Sequence, residues 1–288
     1  MQNAISQGST VDLDHVGFII PDLSAARALF EALGFTLTSR ADHTRRDSEG
    51  RVVPAGSSQH SVMLGTGYVE LMQITDPEAG HQLTPAMRER FGLHVLALGT
   101  ADAAACHADR VHAGLPVGPV MDWSRPVTTP ERSGTARFLY FDTPWQPGAP
   151  SYLCWVHHAT PELVRSPSLV RHGNGAVSLR GVHYVGPEAE LAAWATRLQQ
   201  AGAGAPAPGP GAVRQRLPLG SCWLELLADD AEPCVRPSGL TFGLVEPQAM
   251  AEAARRVGLP VRMAQDAVTV VLGAPYGLML HAVREPAG

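Results

Sequence analysis

The sequence predicts an α+β protein built from four tandem βαβββ units, two in each half of the 288-residue chain. Three observations carry that expectation. An apolar run leading through a short break into an amphipathic helix recurs four times, each helix closes on a glycine, and the apolar runs that follow are too short for helices and suit strands. A repeat of this kind decides the fold before any single motif does.

The first unit opens with "LDHVGFIIPDLSAARALFEALGF" (13–35): an apolar strand over 13–20, a break at Pro21-Asp22, then Leu23, Ala26, Leu29, Phe30 and Leu33 at helical spacing before Gly34. Its later strands lie in "HSVMLGTGYVELMQI". The second begins at "FGLHVLALGT" (91–100), continues with the helix "ADAAACHADRVHAG", and ends in strands over "LPVGPVM", "ARFLYFD" and "SYLCWVHH". The third runs from "VSLRGVHYVG" (177–186) through the helix "PEAELAAWATRLQQAG" to "SCWLELLAD". The fourth comprises "GLTFGLVEP", the helix "QAMAEAARRVG", and the strands "LPVRMA", "AVTVVLG" and "YGLMLHAV". The polar, glycine-containing "RSPSLVRHGNG" (165–175) is the natural seam, giving domains at 11–165 and 174–285. "GAGAPAPGPGA" (202–212) falls inside the third unit and reads as a surface loop.

Composition excludes several chemistries. All 22 basic residues are arginine, so a Schiff base, a lysine general base and a Walker-type phosphate loop have no ammonium to use. A net charge of −5 without a basic tract argues against nucleic acid as partner. No window approaches a membrane span, and "MQNAISQGST" has neither part of a signal peptide, which points to a cytoplasmic protein. The four cysteines form no CxxC pair and are expected as reduced thiols.

His15 stands in the middle of this pattern, on a strand expected to be buried. A dry, unpaired imidazole there would cost on the order of 1–3 kcal/mol, so it needs a hydrogen-bond partner or a metal. The same applies to His94 on the first strand of the second unit.

A tandem βαβββ chain with a histidine on its first strand and "YVEL" on its last resembles the vicinal oxygen chelate superfamily, which includes glyoxalase I and the extradiol dioxygenases. The glyoxalase-like branch is closer, through "LDHVGFIIPDLSAARALFEALGF", "HSVMLGTGYVELMQI", and "YLCWVHHATPELVR" followed by "HGNGA". Residues 11–176 carry nearly all of the likeness; the second half matches in unit grammar only.

The resemblance implies two cup-shaped domains of curled sheet with helices outside, and a divalent metal (iron, manganese, nickel or zinc) in the N-terminal cup. Laying the units over one another puts His15 and His94 at equivalent first-strand positions and Glu70 opposite Cys154 on the last strands. The family's fourth ligand is commonly a glutamate. A thiolate from Cys154 would favour zinc and close a coordination position, whereas a protonated Cys154 would line the cup without touching metal. Glu70 is the candidate general base by resemblance to glyoxalase I. The implied function is a metal-dependent lyase, isomerase or dioxygenase acting on a small oxygenated organic molecule. The alternative is a metal-free binding or drug-sequestering protein, in which the same residues form a hydrogen-bonded polar cluster.

Three further residues are candidates for substrate binding. His60 opens the strand before the "GTG" turn, His158 shares a strand face with Cys154, and Arg137 is placed to pair with a substrate carboxylate. Trp145 and Trp155 read as packing residues. In the second half the same overlay puts Gly181 at the place of His15, Thr241 at that of His94 and Met279 at that of Cys154. Glu225 keeps the counterpart of Glu70, with His183 near enough to bond it. Too few donors remain there for a metal. That half is expected to cover the N-terminal cup, complete a homodimer surface or add walls to the ligand site.

Overall fold

Strand β1 (Val11–Ile19) is buried along nearly its whole length because it lies at the centre of a sheet covered on both faces. The computed structural model in which it is seen describes residues 10–46, 49–129, 131–211, 213 and 215–285, so the first nine residues fall outside it. After β1, Asp22 turns the chain into α1 (Leu23–Ala32), its side chain accepting from the Ala25 amide at 2.9 Å. Gly34 ends that helix at φ +87°, and a Cβ there would sit 2.9 Å from the backbone nitrogen of Asn174.

The chain then runs through β2 (Ala41–Arg46), β3 (Val52–Met63), β4 (Tyr68–Ile74), the short helix α2 (Thr84–Glu89), β5 (Gly92–Thr100), α3 (Ala103–His112), β6 (Met121–Thr128), β7 (Ser133–Asp142), β8 (Tyr152–His158) and one turn of helix, α4 (Pro161–Val164). The strands order as β2-β3-β4-β1-β5-β8-β7-β6, with β1 parallel to β4 and antiparallel to β5. The second half repeats the plan with β9 (Ala176–Gly186), α5 (Glu188–Ala201), β10 (Ala207–Pro208), β11 (Gln215–Leu219), β12 (Cys222–Ala228), β13 (Arg236–Leu244), α6 (Pro247–Arg256), β14 (Val261–Met263), β15 (Ala267–Leu272) and β16 (Leu278–Arg284). Its order, β10-β11-β12-β9-β13-β16-β15-β14, matches the first sheet strand for strand. The fold is therefore α+β with two curled sheets.

Two elements differ from expectation. The strand placed over "LPVGPVM" begins only at Met121, because Pro116 and Pro119 supply no amide to a ladder. The helix α2 lies between the units and brings Leu83 and Ala86 into an apolar cluster with Ile19, Met72, Val95 and Tyr152.

One hydrophobic core serves both halves. It joins Leu23, Phe30 and Cys106 of the first half to Trp194, Leu198, Met250 and Phe242 of the second. Phe35 meets Phe242 with ring centroids 5.4 Å apart, and the Trp155 indole donates to the Ala201 carbonyl at 3.0 Å. The helices thus pack into a shared core between the sheets. The seam segment is bonded to the first half: His172 bonds the Met63 carbonyl at 2.8 Å and the Asn174 amide bonds that of Leu33 at 2.9 Å. Among the described residues no helix is long and apolar enough to cross a membrane.

Candidate functional site

The β1–β5 ladder carries two bulges, and they decide which side chains meet. Asp14 is the extra residue between the pairs Leu13–Leu98 and His15–Ala97, and His94 is the extra residue between Gly17–Val95 and Phe18–Leu93. A bulge breaks the strict alternation of a strand, so the adjacent residues Asp14 and His15 both take part in the cup.

The pseudo-two-fold that exchanges the bulges makes Asp14 the counterpart of His94 and His15 the counterpart of Val95. It pairs Tyr68 with Tyr152 and Glu70 with Cys154. The expected equivalence of His15 and His94 is off by one residue. The same register in the second half makes His281 the counterpart of Cys154 and Ser238 that of His94, in place of Met279 and Thr241.

Asp14 is the hub of the cup. The His15 Nδ1–H donates to its Oδ2 at 2.7 Å and the His158 Nε2–H to its Oδ1 at 2.8 Å, with Arg165 at 3.8 Å. Burial alone would raise this carboxyl, but the two histidine bonds outweigh it and hold it well below the usual carboxylate range. An ionised carboxylate only accepts, so both rings carry a proton on the nitrogen facing it. The His15 ring stacks on Tyr68 at 4.3 Å. Glu70, opposite Gly17, makes no hydrogen bond or ion pair among the described residues. Its Oε2 occupies the space that a side chain at Gly17 would take, 3.2 Å from where a Cβ would stand.

Across the cup, the Gln82 amide donates to the Tyr140 hydroxyl at 3.2 Å, Tyr140 bonds Tyr152 at 2.5 Å, and Tyr152 donates to Asp142. Burial, with the carboxylates of Asp142, Glu70 and Asp14 nearby, pushes the Cys154 thiol well above its ordinary value. Cys154 lines the cup as a neutral thiol.

Two small apolar clusters flank the cup. The α2 cluster is one, while Met63, Ala136 and Val164, with Tyr68, Phe138 and Leu163 packed against them, form the other. Between the edge strands β2 and β6 remains a cavity of about 210 Å³, lined by Arg40, Gln59, Ser61, Arg125 and Val127 among others. It is the mouth of the curled sheet.

The remaining predicted residues lie elsewhere. His94 is fully buried, its Nε2–H bonded to the Arg90 carbonyl at 2.9 Å and its ring against Trp145. Burial and the Arg90 charge lower its pKa to about 3. His60 pairs in register with Leu71, which belongs to the shared core, and bonds the Thr38 carbonyl at 2.8 Å. Arg137 makes a two-pronged bond to Asp122 on the face away from Phe138 and Tyr140. Arg125 stands on the cup side instead, 5.8 Å over the Phe138 ring. Sequence reasoning missed Asp14, Arg125 and Gln59. For Asp14 there was a signal, an acid inside an apolar strand.

The structure does not bring together the four residues expected to bind metal. His15, Glu70 and Cys154 share the cup, but His94 is tied to α2 and the unit-two counterpart of His15 is the apolar Val95. Among the described residues no three His, Cys, Asp or Glu side chains stand together so as to hold an ion. Of the four, only His15 and Glu70 remain as oxygen or nitrogen donors facing the cup, short of the three protein ligands typical of catalytic sites, and the neighbouring Asp14 and His158 are bonded to each other.

A family model described as "Glyoxalase-like domain" matches residues 13–202. No curated protein matches the chain. Among solved structures, a hypothetical protein from Staphylococcus aureus aligns over 96% of this chain and 100% of its own, with a TM-score of 0.67 at 10% identity. A xylose isomerase-like TIM barrel/4-hydroxyphenylpyruvate dioxygenase fusion protein aligns over 100% of this chain and 52% of its own, with a TM-score of 0.60 at 12% identity. A mutant of 4-hydroxymandelate synthase from Streptomyces coelicolor aligns over 97% and 94%, with a TM-score of 0.56 at 13% identity. At these identities the likeness is one of fold.

Proposed function

The chain belongs to the glyoxalase-like domain family, and from that premise we propose that its N-terminal cup binds a small organic molecule and offers it acid–base groups without a resident divalent ion. The observation that carries this reading is the Asp14 bridge. A carboxylate that fixes Nδ1–H of His15 leaves Nε2 as the basic nitrogen, the arrangement by which an orienting acid prepares a histidine to take a proton. Glu70, free of partners, is a second base in the same cup. Tyr140 and Tyr152 form a hydrogen-bonded chain facing them, both hydroxyl protons directed toward Asp142. A metal-dependent lyase, isomerase or dioxygenase would need a third donor beside His15 and Glu70, and position 95 supplies none.

The test is a fragment screen read on the imidazole ring signals of the full chain by NMR, with and without prior treatment with chelator. Fragments that shift the His15 and His158 signals, unaffected by chelator, are expected. Fragments that move only His183 and His281, or binding that disappears on metal removal, would overturn the reading.

A further inference from the structure

The cavity at the cup mouth has a charge without a partner. Of the two arginines lining it, Arg40 is engaged by Asp42 at 3.0 Å and by Ser58 at 2.8 Å. Arg125 makes no hydrogen bond or ion pair among the described residues; its one recorded contact is the Phe138 ring. The acid deeper in the cup that would attract it, Asp14, is already bonded by His15 and His158. A guanidinium left this way at a cavity presents its planar fork to an incoming anion.

A second group in the same cavity calls for a hydrogen-bond donor on the ligand. Gln59 is 8% exposed and lines the cavity, yet its Oε1 is enclosed and has no hydrogen-bond partner. Buried amides left unpaired cost free energy that a ligand atom can recover. The rest of the wall is largely apolar: Met63, Val127, Leu163 and Leu169 line the cavity, and Met63 and Leu163 belong to the cluster into which Tyr68 packs. Tyr68 in turn stacks on His15. The volume is about 210 Å³, which gives room for a single-ring or short-chain acid.

We propose that the cup takes a small organic acid, its carboxylate paired with Arg125 at the mouth, a hydroxyl or N–H of the same molecule donating to Gln59 Oε1, and its apolar body lying along Met63 and Leu163 toward Tyr68 and His15. One free guanidinium among apolar walls matches a planar carboxylate; a phosphate would call for several more donors. The inference rests on the cup being the ligand site.

The experiment is calorimetry on the full chain with 3-hydroxybenzoate, 3-hydroxyphenylacetate and 6-hydroxyhexanoate, each against its primary amide. At least one acid is expected to bind tenfold or more tighter than its amide. Arg125→Gln should abolish that preference, and Arg125→Lys should restore part of it. Failure of all three acids to bind, equal binding of acid and amide, or a preference that survives Arg125→Gln would overturn the proposal. If fragments still shift the His15 ring signals while the acids fail, the cup reading stands and the acid falls. Should the acids bind through Arg125 without moving those signals, the acid stands and the cup reading falls.

Discussion

The two sheets share a strand order and a conserved register of carboxylates, yet they treat those carboxylates oppositely. Glu70 lies opposite Gly17, and Glu225 at the matching place lies opposite His183. Glycine leaves the first carboxylate without a partner. The imidazole takes hold of the second, with His183 Nδ1 3.2 Å from Glu225 Oε2 and Arg216 on the other oxygen. Thr241 then meets His183 Nε2 at 2.6 Å, Thr269 bonds His281 at 3.0 Å, and the two rings stack at 4.6 Å. One scaffold thus yields one glutamate held on both oxygens and another left over in its cup. The residue across the ladder from the glutamate decides which.

The largest effect expected from breaking this contrast is that of Asp14→Ala, which strands two imidazoles and Arg165 around a lost anion. It should cost roughly 3–5 kcal/mol in urea denaturation and remove fragment binding. Glu225→Ala should also destabilise but leave fragment binding intact; loss of binding there would erase the distinction between the sheets.

Acid should sharpen it further. Burial lowers the pKa of His94 to about 3 and those of His183 and His281 to about 4. Each is held neutral in the fold while the unfolded chain takes up protons near the ordinary value, so stability falls as pH drops from about 6.5 toward these lowered values. For the fully buried His94 the loss between pH 6.5 and 5 is about 2 kcal/mol. Asp14 contributes in full above the ordinary carboxylate range and is lost only at stronger acid. Replacing both His183 and His281 with glutamine should therefore flatten the limb between pH 6.5 and 4, measured by denaturation at each pH. An unchanged slope would show that the second sheet does not hold them neutral.

Gly17→Ala comes next, since a Cβ there would lie 2.9 Å from Val95 and crowd Glu70. A cost of roughly 1–3 kcal/mol and weakened fragment binding are expected. The smallest effect belongs to Arg137→Ala. Its pair with Asp122 is solvent-exposed and faces away from the cup, so neither the denaturation midpoint nor fragment affinity should move beyond replicate error.

Much of this architecture was legible in the sequence because strand–break–helix–glycine is a local grammar. The strand pairing was less so, and particular residues show why. Matching His15 to His94 followed residue type, yet the helix caps Asp22 and Asp102 and the closing glycines Gly34 and Gly114 are spaced one residue further apart. That spacing matches Asp14 with His94, as the bulges do. The sequence points to Arg137, but the run "ARFLYFD" around it is apolar on both faces and hides its parity. Only the pairing of Ala136 with Arg125 and Ser124 with Arg137 reveals which arginine faces the cup. The pairing of Arg40 with Asp42 and Ser58, which leaves Arg125 as the arginine of that cavity without an ion pair among the described residues, likewise depends on contacts between side chains that no periodicity records.

The continuous core shared by the two halves sets how sequence variation in this protein would be read by a functional screen. Phe242, Met250 and Trp194 lie far along the chain from the cup, yet they pack into the same core as Phe18 and Leu71. A large-to-small change at any of them removes support from both sheets at once, at about 2–5 kcal/mol against a total stability of order 10. A saturation scan scored on ligand binding would consequently mark the second half as full of essential positions. Scoring abundance beside binding would separate them, because core positions would lose both together while Arg125 and Gln59 would lose binding alone.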